Sequence, residues 1–205
     1  MPVACDLTRL LPGLFVWQKY DSAVKAELFS SAIVTSAGLY IVDPIPLVDK
    51  RVMELMDVAP VSGVVVTNSN HLRAASDYAN KFGAPVFAHA ESFPHKEFPC
   101  LIEIDDGQRI ANQFEVITID GAPPGEIALY HSLDGGTLIV GDALINFEPY
   151  GFTFLPRKYC RNQKEMLRSL RKLLGLEVER MLFAHGTPLL SGASARLRQL
   201  LDLDP

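Results

Sequence analysis

The sequence predicts an α/β fold, on three observations. Short apolar runs rich in β-branched residues recur along the chain, as in AIVT, LYIV, VVVT and LIVG. The run SGVVVT is followed by ASDYANKFG and then APVFAH, which gives a strand, a helix and a second strand, the unit of a parallel sheet. Near the C-terminus, NQKEMLRSLRKLLGL repeats Met166, Leu167, Leu170, Leu173 and Leu174 at three- and four-residue spacing, the pattern of an amphipathic helix.

The elements follow in order. AIVT and LYIV, separated by Ser-Ala-Gly, predict a hairpin, with Asp43 at the end of its second strand before Pro44. Over 47–57, Val48, Val52, Leu55 and Met56 share one helical face, and Pro60 lies beyond its end. Gly83 closes the next helix, since a glycine readily takes the left-handed conformation that ends one. FEVITID, EIALYHS and TLIVGDAL read as successive strands separated by the turn signals GAPPG and LDGG. After the long helix, RMLFAH predicts a last strand, then a GTPLL turn and a terminal helix.

Composition narrows the partners. With 205 residues, 48% hydrophobic, the chain can bury a substantial core and reads as one domain, 1–205. Nineteen Lys and Arg against 24 Asp and Glu give a net charge of −5, and no basic block is long enough to track a phosphate backbone, so nucleic acid is not an expected partner. The absence of a basic start with a sustained apolar run, and of any stretch of about 18 apolar residues, predicts a cytoplasmic protein with no membrane partner. Cys5, Cys100 and Cys160 form no CxxC pair and suggest neither disulfides nor a thiolate metal site. Arg157, Lys158 and Arg161 would favour a Cys160 thiolate if they faced it.

The polar cluster TNSNHLR, 67–73, sits where chemistry is placed in many α/β enzymes, beyond the carboxyl end of an apolar strand. Together with IVDP at 41–44, IDGAPPGEIALY at 119–130, LIVGDAL at 138–144 and MLFAHGTPL at 181–189, it makes five ordered segments that resemble the metallo-β-lactamase fold over nearly the whole chain. The resemblance implies a four-layer αβ/βα sandwich of two mixed sheets. It also implies a centre of one or two metals, usually zinc, held by T-H-x-H-x-D-H, G-H-T-P-G, G-D and a late histidine. Carried over by position, the first two histidines of that pattern fall on Asn68 and Asn70, its aspartate on Leu72 and its third histidine on Arg73. The middle histidine falls on Ala122, while the bridging aspartate and last histidine survive as Asp142 and His185.

The resemblance thus implies one cleft gathering Asn68, Asn70, Arg73, Asp142 and His185. It leaves two of seven ligands, where a catalytic zinc site takes three protein donors and an open position. No cofactor is expected on this reading; zinc is the alternative, held by Asp142 and His185 with His71 one step out of register. The plain reading of His71 is a loop histidine, exposed or bonded to backbone. His89, His95 and His131 show no metal-ligand spacing and read as surface or capping residues. Asp43 is expected to accept hydrogen bonds from the adjacent loop, and Phe147 and Tyr150, with Phe152 and Phe154, to line a pocket or to pack beneath a loop or against a second subunit. Arg73 is expected to neutralise Asp142 in place of the lost dication. The function expected is that of a pseudoenzyme binding a small molecule or a partner, with homo-oligomerisation left open. The alternative is a metal-dependent hydrolase of an ester, thioester or lactone with an unconventional site around Asp142 and His185.

Overall fold

In the computed structural model, residues 1–93, 98 and 100–202 are described; His95, read from sequence as a loop histidine, lies outside them. The chain divides into two compact units, Met1–Ile104 and Asp105–Pro205.

The first unit is a seven-stranded mixed sheet. Strands β1 (Thr8–Leu11), β2 (Leu14–Asp21), β3 (Ala26–Thr35) and β4 (Gly38–Val42) pair antiparallel in sequence order. Helix α1 (Asp49–Met56) then leads to β5 (Val61–Val66), α2 (Ala75–Phe82) to β6 (Val86–Ala88), and β7 (Leu101–Glu103) completes a parallel run from β4 to β7. Parallel pairing requires such crossovers, because the chain must return to the same end before each strand begins. Of the predicted α1 face, Val52 and Leu55 are buried, but Met56 is 47% exposed. Gly83 ends α2 at φ 61°, in the left-handed conformation predicted for it.

One face of this sheet, with Trp17, Ala32, Ile41, Val64 and Val86, packs with Val52 and Leu55 of α1 and Ala75, Tyr78 and Ala79 of α2. Trp17 is 2% exposed and its indole N–H donates to the Ile45 carbonyl at 3.0 Å, so its one polar group is satisfied inside the core.

The second unit contains β8 (Arg109–Ile110), β9 (Phe114–Thr118), β10 (Ile127–His131), β11 (Thr137–Val140), the hairpin of β12 (Leu144–Phe147) and β13 (Gly151–Phe154), α3 (Gln163–Leu170), β14 (Arg180–Phe183) and α4 (Ala193–Asp202). Its five-stranded sheet runs β14-β11-β10-β9-β8, antiparallel except for the parallel β11–β14 pair. The long helical pattern near the C-terminus is two elements: α3, capped by the Asn162 side chain accepting from the Glu165 amide, and a 3₁₀ turn over Arg171–Gly175. Met166, Leu170 and Leu173 from these, and Leu197 and Leu201 from α4, pack with Ala128, Leu138, Val140, Met181 and Phe183 of the sheet. Among the described residues, no helix is long and apolar enough to cross a membrane.

Candidate functional site

In the first unit the polar centre arises from the parallel register of β4 and β5. Val42 lies beside Val65, so the strands' carboxyl ends place Asp43 next to Thr67. The Asp43 amide donates to the Val65 carbonyl at 2.9 Å, and its backbone turns into the left-handed region at φ 47°. That turn directs a carboxylate, 2% exposed, onto the loop after β5. It accepts from the Thr67 amide at 2.8 Å, the Thr67 hydroxyl at 2.5 Å and His71 Nδ1 at 3.0 Å. An ionised carboxylate only accepts, so this contact assigns the ring proton to Nδ1, which also lies 2.9 Å from Thr67 Oγ1. Burial alone would raise the Asp43 pKa. The nearby charge and hydrogen bond of His71, the charge of Arg73 and the Thr67 hydroxyl outweigh it and hold the carboxyl below its ordinary range.

His71 is therefore neither exposed nor held to backbone through its ring: it is 1% exposed and bound to the Asp43 and Thr67 side chains, which corrects the reading of a plain loop histidine. The reason is the shape of the loop, which spacing alone does not reveal. Asn68 Oδ1 accepts from the Asn70 amide at 2.8 Å, and the Asn68 carbonyl accepts from the His71 amide at 3.1 Å, curling the chain back over the end of β4. Leu72 packs, half-buried, against the apolar core. Arg73, at φ 40°, donates from Nη1 to the carbonyls of Phe29 and Asp43. Its charge thus lowers the pKa of Asp43, a role the expected pairing with Asp142 does not include.

In the second unit the parallel pair β11–β14 has the corresponding part. Val140 lies beside Phe183, and two residues beyond each come Asp142 and His185. Their Oδ1 and Nε2 atoms are 3.4 Å apart. Asp142 is 7% exposed, and the amide of the following Ala143 donates to Glu126 Oε1 at 2.9 Å, so a second buried carboxylate fixes this turn. The backbone at His185 is held by β12. The Asn146 amide donates to the His185 carbonyl at 3.3 Å, and the Thr187 amide to the Asn146 carbonyl at 2.7 Å. Gly186 permits this close approach, since a Cβ there would overlap the Asn146 carbonyl.

Ala122 is 1% exposed in the apolar core of this unit, where a polar ligand is not called for. Its neighbour Gly121 is at φ 80°, and a Cβ there would overlap the Asn162 carbonyl oxygen, so the GAPPG loop lies directly on the start of α3. Phe147 and Tyr150 flank the tip of the β12–β13 hairpin, their rings edge-on at 5.7 Å, with Tyr150 68% exposed. His131 is also corrected from a surface residue: it is buried against Phe114, with ring centres 5.3 Å apart, and burial pushes its pKa down. His89 caps a 3₁₀ turn by accepting from the Glu91 amide, as expected of a capping residue. The Cys160 thiol faces the carbonyls of Leu155 and Pro156 and the Met166 sulfur; burial and the Glu126 carboxylate push its pKa up, away from the thiolate. Neither Thr67 nor Glu126 stands out in the sequence. Their only signals are that Thr67 ends an apolar run and that Glu126 is an acid flanking an apolar strand.

At the positions that the resemblance aligns with T-H-x-H-x-D-H, the side chains have these contacts. Asn68 spends its oxygen on a turn, Leu72 is in the core, and Arg73 carries a positive charge. The imidazole and carboxylate candidates are His71 in the first unit and Asp142 and His185 in the second.

A family model described as the metallo-beta-lactamase superfamily matches residues 7–203. Among solved structures, the chain is similar to a metallo-beta-lactamase family protein from Thermus thermophilus, at 20% identity and TM-score 0.69, covering 95% of this chain and 79% of that one. It is similar to the DIM-1 metallo-beta-lactamase exposed to ceftazidime, at 12% identity and TM-score 0.76, covering 100% and 99%. A metallo-beta-lactamase from Pontibacter korlensis aligns at 14% identity and TM-score 0.73, covering 96% and 98%. At these identities the likeness shows the fold alone. No curated protein matches the chain.

Proposed function

The chain belongs to the metallo-β-lactamase superfamily, and from that premise we propose that it is a member in which the two-metal centre has been replaced by a polar network, leaving a protein that binds a small molecule or a partner instead of hydrolysing a substrate. The observation that supports this most is the use made of the motif loop. Asn68, Leu72 and Arg73 stand where the resemblance puts metal ligands, and each serves the loop or the core instead. When bound, zinc supplies this superfamily with a water whose pKa is lowered to about 7. Neutral amides, an alkyl side chain and a guanidinium do not supply the donors for that chemistry.

The test is hydrolysis of lactone, thioester and β-lactam substrates by protein stripped of metal and then supplied with Zn²⁺ or Mn²⁺. The expected result is no metal-dependent rate. A rate that appears with metal and is lost in Asp142→Ala overturns the reading.

A second reading is favoured by one specific observation, the buried Asp43–His71 pair. A carboxylate that accepts from Nδ1 of a histidine orients the ring and, once the ring is neutral, leaves the lone pair on Nε2, the arrangement that commonly supports a metal-bound imidazole. On this reading the metal donors of an unconventional hydrolase of an ester, thioester or lactone are drawn from Asp142 and His185, as the resemblance implies, and from His71. Stoichiometric zinc binding lost separately in His71→Ala, Asp142→Ala and His185→Ala is its signature.

A further inference from the structure

The chain is acidic overall, yet residues 157–168, RKYCRNQKEMLR, carry five cations and a single acid. Removing that stretch leaves the remainder at a net charge of −9 against +4 within it. Arg157, Lys158, Arg161, Lys164 and Arg168 are all exposed. Lys164 and Arg168 are four residues apart on α3, on the side opposite Met166, Ser169 and Leu170, which face the core. Arg157 and Lys158 lie in the 3₁₀ turn just before it.

Four other cations have carboxylates beside them: Arg51 with Glu54, Lys81 with Asp49, Arg109 with Glu115, and Lys172 with Asp106 and Asp120. Among the described residues, Arg157, Lys158, Lys164 and Arg168 have none within salt-bridge distance. Lys158 instead lies 4.7 Å from the ring centre of Tyr159, which is 59% exposed. A concentrated positive surface with an exposed aromatic at its edge, on a chain that is otherwise negative, is arranged for an anionic partner.

We propose that this surface docks a short acidic segment of a partner protein. The remainder of the chain decides between polyanions. The basic stretch spans on the order of 15–20 Å, taking about 1.5 Å per helical residue and the preceding turn. At physiological salt, charges are screened over about 8 Å. Just beyond the stretch Lys172 already has Asp106 and Asp120 beside it, carboxylates that a longer nucleic acid or an anionic membrane would meet, whereas about five extended residues, at roughly 3.3 Å each, lie within it. This inference is independent of whether the chain binds metal.

The experiment is fluorescence anisotropy with a labelled Glu-rich pentapeptide, a Ser/Gly pentapeptide of the same length, an oligo-dT long enough to extend beyond the stretch and vesicles containing phosphatidylserine. The proteins are the wild-type chain, the K158E/K164E/R168E variant, and a K19E/K25E/K50E control with the same change in net charge. Circular dichroism melts establish that all three fold alike. Expected are saturable, salt-sensitive binding of the Glu-rich peptide, at least tenfold weaker binding in K158E/K164E/R168E, and less than a twofold change in the control. Equal losses in the two variants, no saturable binding, or tighter binding of oligo-dT or vesicles than of the peptide overturns the proposal.

Discussion

Replacing Asp43 by Asn tests the network that holds the motif loop. Asparagine nearly matches the carboxylate in shape and tolerates the left-handed backbone at φ 47°, so the change isolates charge and hydrogen-bond direction. An amide oxygen still accepts from the Thr67 amide, but the NH₂ group then faces the Thr67 hydroxyl and His71 Nδ1, which both donate to the carboxylate. Hydrogen bonds to a charged group contribute about 1.5–3 kcal/mol each, and two are disrupted with partial rescue by reorientation. Breaking a buried ion pair costs about 3–5 kcal/mol, and Arg73 would remain half-buried beside the lost charge. A loss of about 3 kcal/mol at pH 7 is expected. For a chain of this size that is a fall of roughly 6–12 °C in Tm.

The pH dependence supplies a second arm. The folded-state pKa of Asp43 is depressed, so its contribution is fully present above its ordinary value of 3.8 and is lost as pH falls through the lower folded value. Urea melts from pH 7 down to the lowest pH at which both proteins fold should therefore converge only below about pH 3.8. A difference under about 0.5 kcal/mol at pH 7, or one that persists unchanged once the carboxylate is protonated, refutes the reasoning.

Three other outcomes follow from the same structure. Gly121→Ala should cost about 2–4 kcal/mol in denaturant melts, because φ is +80° and the new Cβ would meet the backbone of α3; a neutral result means that the GAPPG loop does not lie on that helix. His131→Phe should reduce the acid sensitivity of the second unit. The folded-state pKa of His131 is depressed, so the wild-type chain loses stability as pH falls from about 6.5 toward that lower value, and the phenylalanine variant should not show this component. Met166→Ala, at a side chain with 0% exposure, should destabilise by about 2–5 kcal/mol, read from the same melts.

Much of the fold is legible because periodicity and turn signals agree locally. The hairpin of β3 and β4, the β5–α2–β6 unit and the four main strands of the second sheet are each bounded by Gly, Pro or polar residues and carry the correct period. The misses have physical causes. β2 begins with the continuous apolar run LFVW, which does not alternate, and β7 and β8 are three and two residues long, too short to show a period. β12 and β13 carry the aromatics of a sequence that resembles a pocket wall, and their pairing depends on a cross-strand register that spacing does not reveal.

At the candidate site, sequence finds residues better than it finds partners. Asp142 and His185 meet because two parallel strands end in register, and Asp43 accepts from the Thr67 amide as expected of it. The burial of His71 depends on an Asn68 side-chain turn, and the carbonyl contacts of Arg73 depend on how Phe29 within β3 and Asp43 just past β4 present their backbone, so neither follows from residue type.

In the proposed function the motif loop has exchanged a two-metal centre for a polar network. Elemental analysis by inductively coupled plasma mass spectrometry, on protein purified without added metal and again after equilibration with zinc and desalting, tests it most directly. The claim predicts far less than one zinc per chain in both samples, unchanged by Asp142→Ala. About two tightly held zinc ions per chain, released by that substitution, would contradict it.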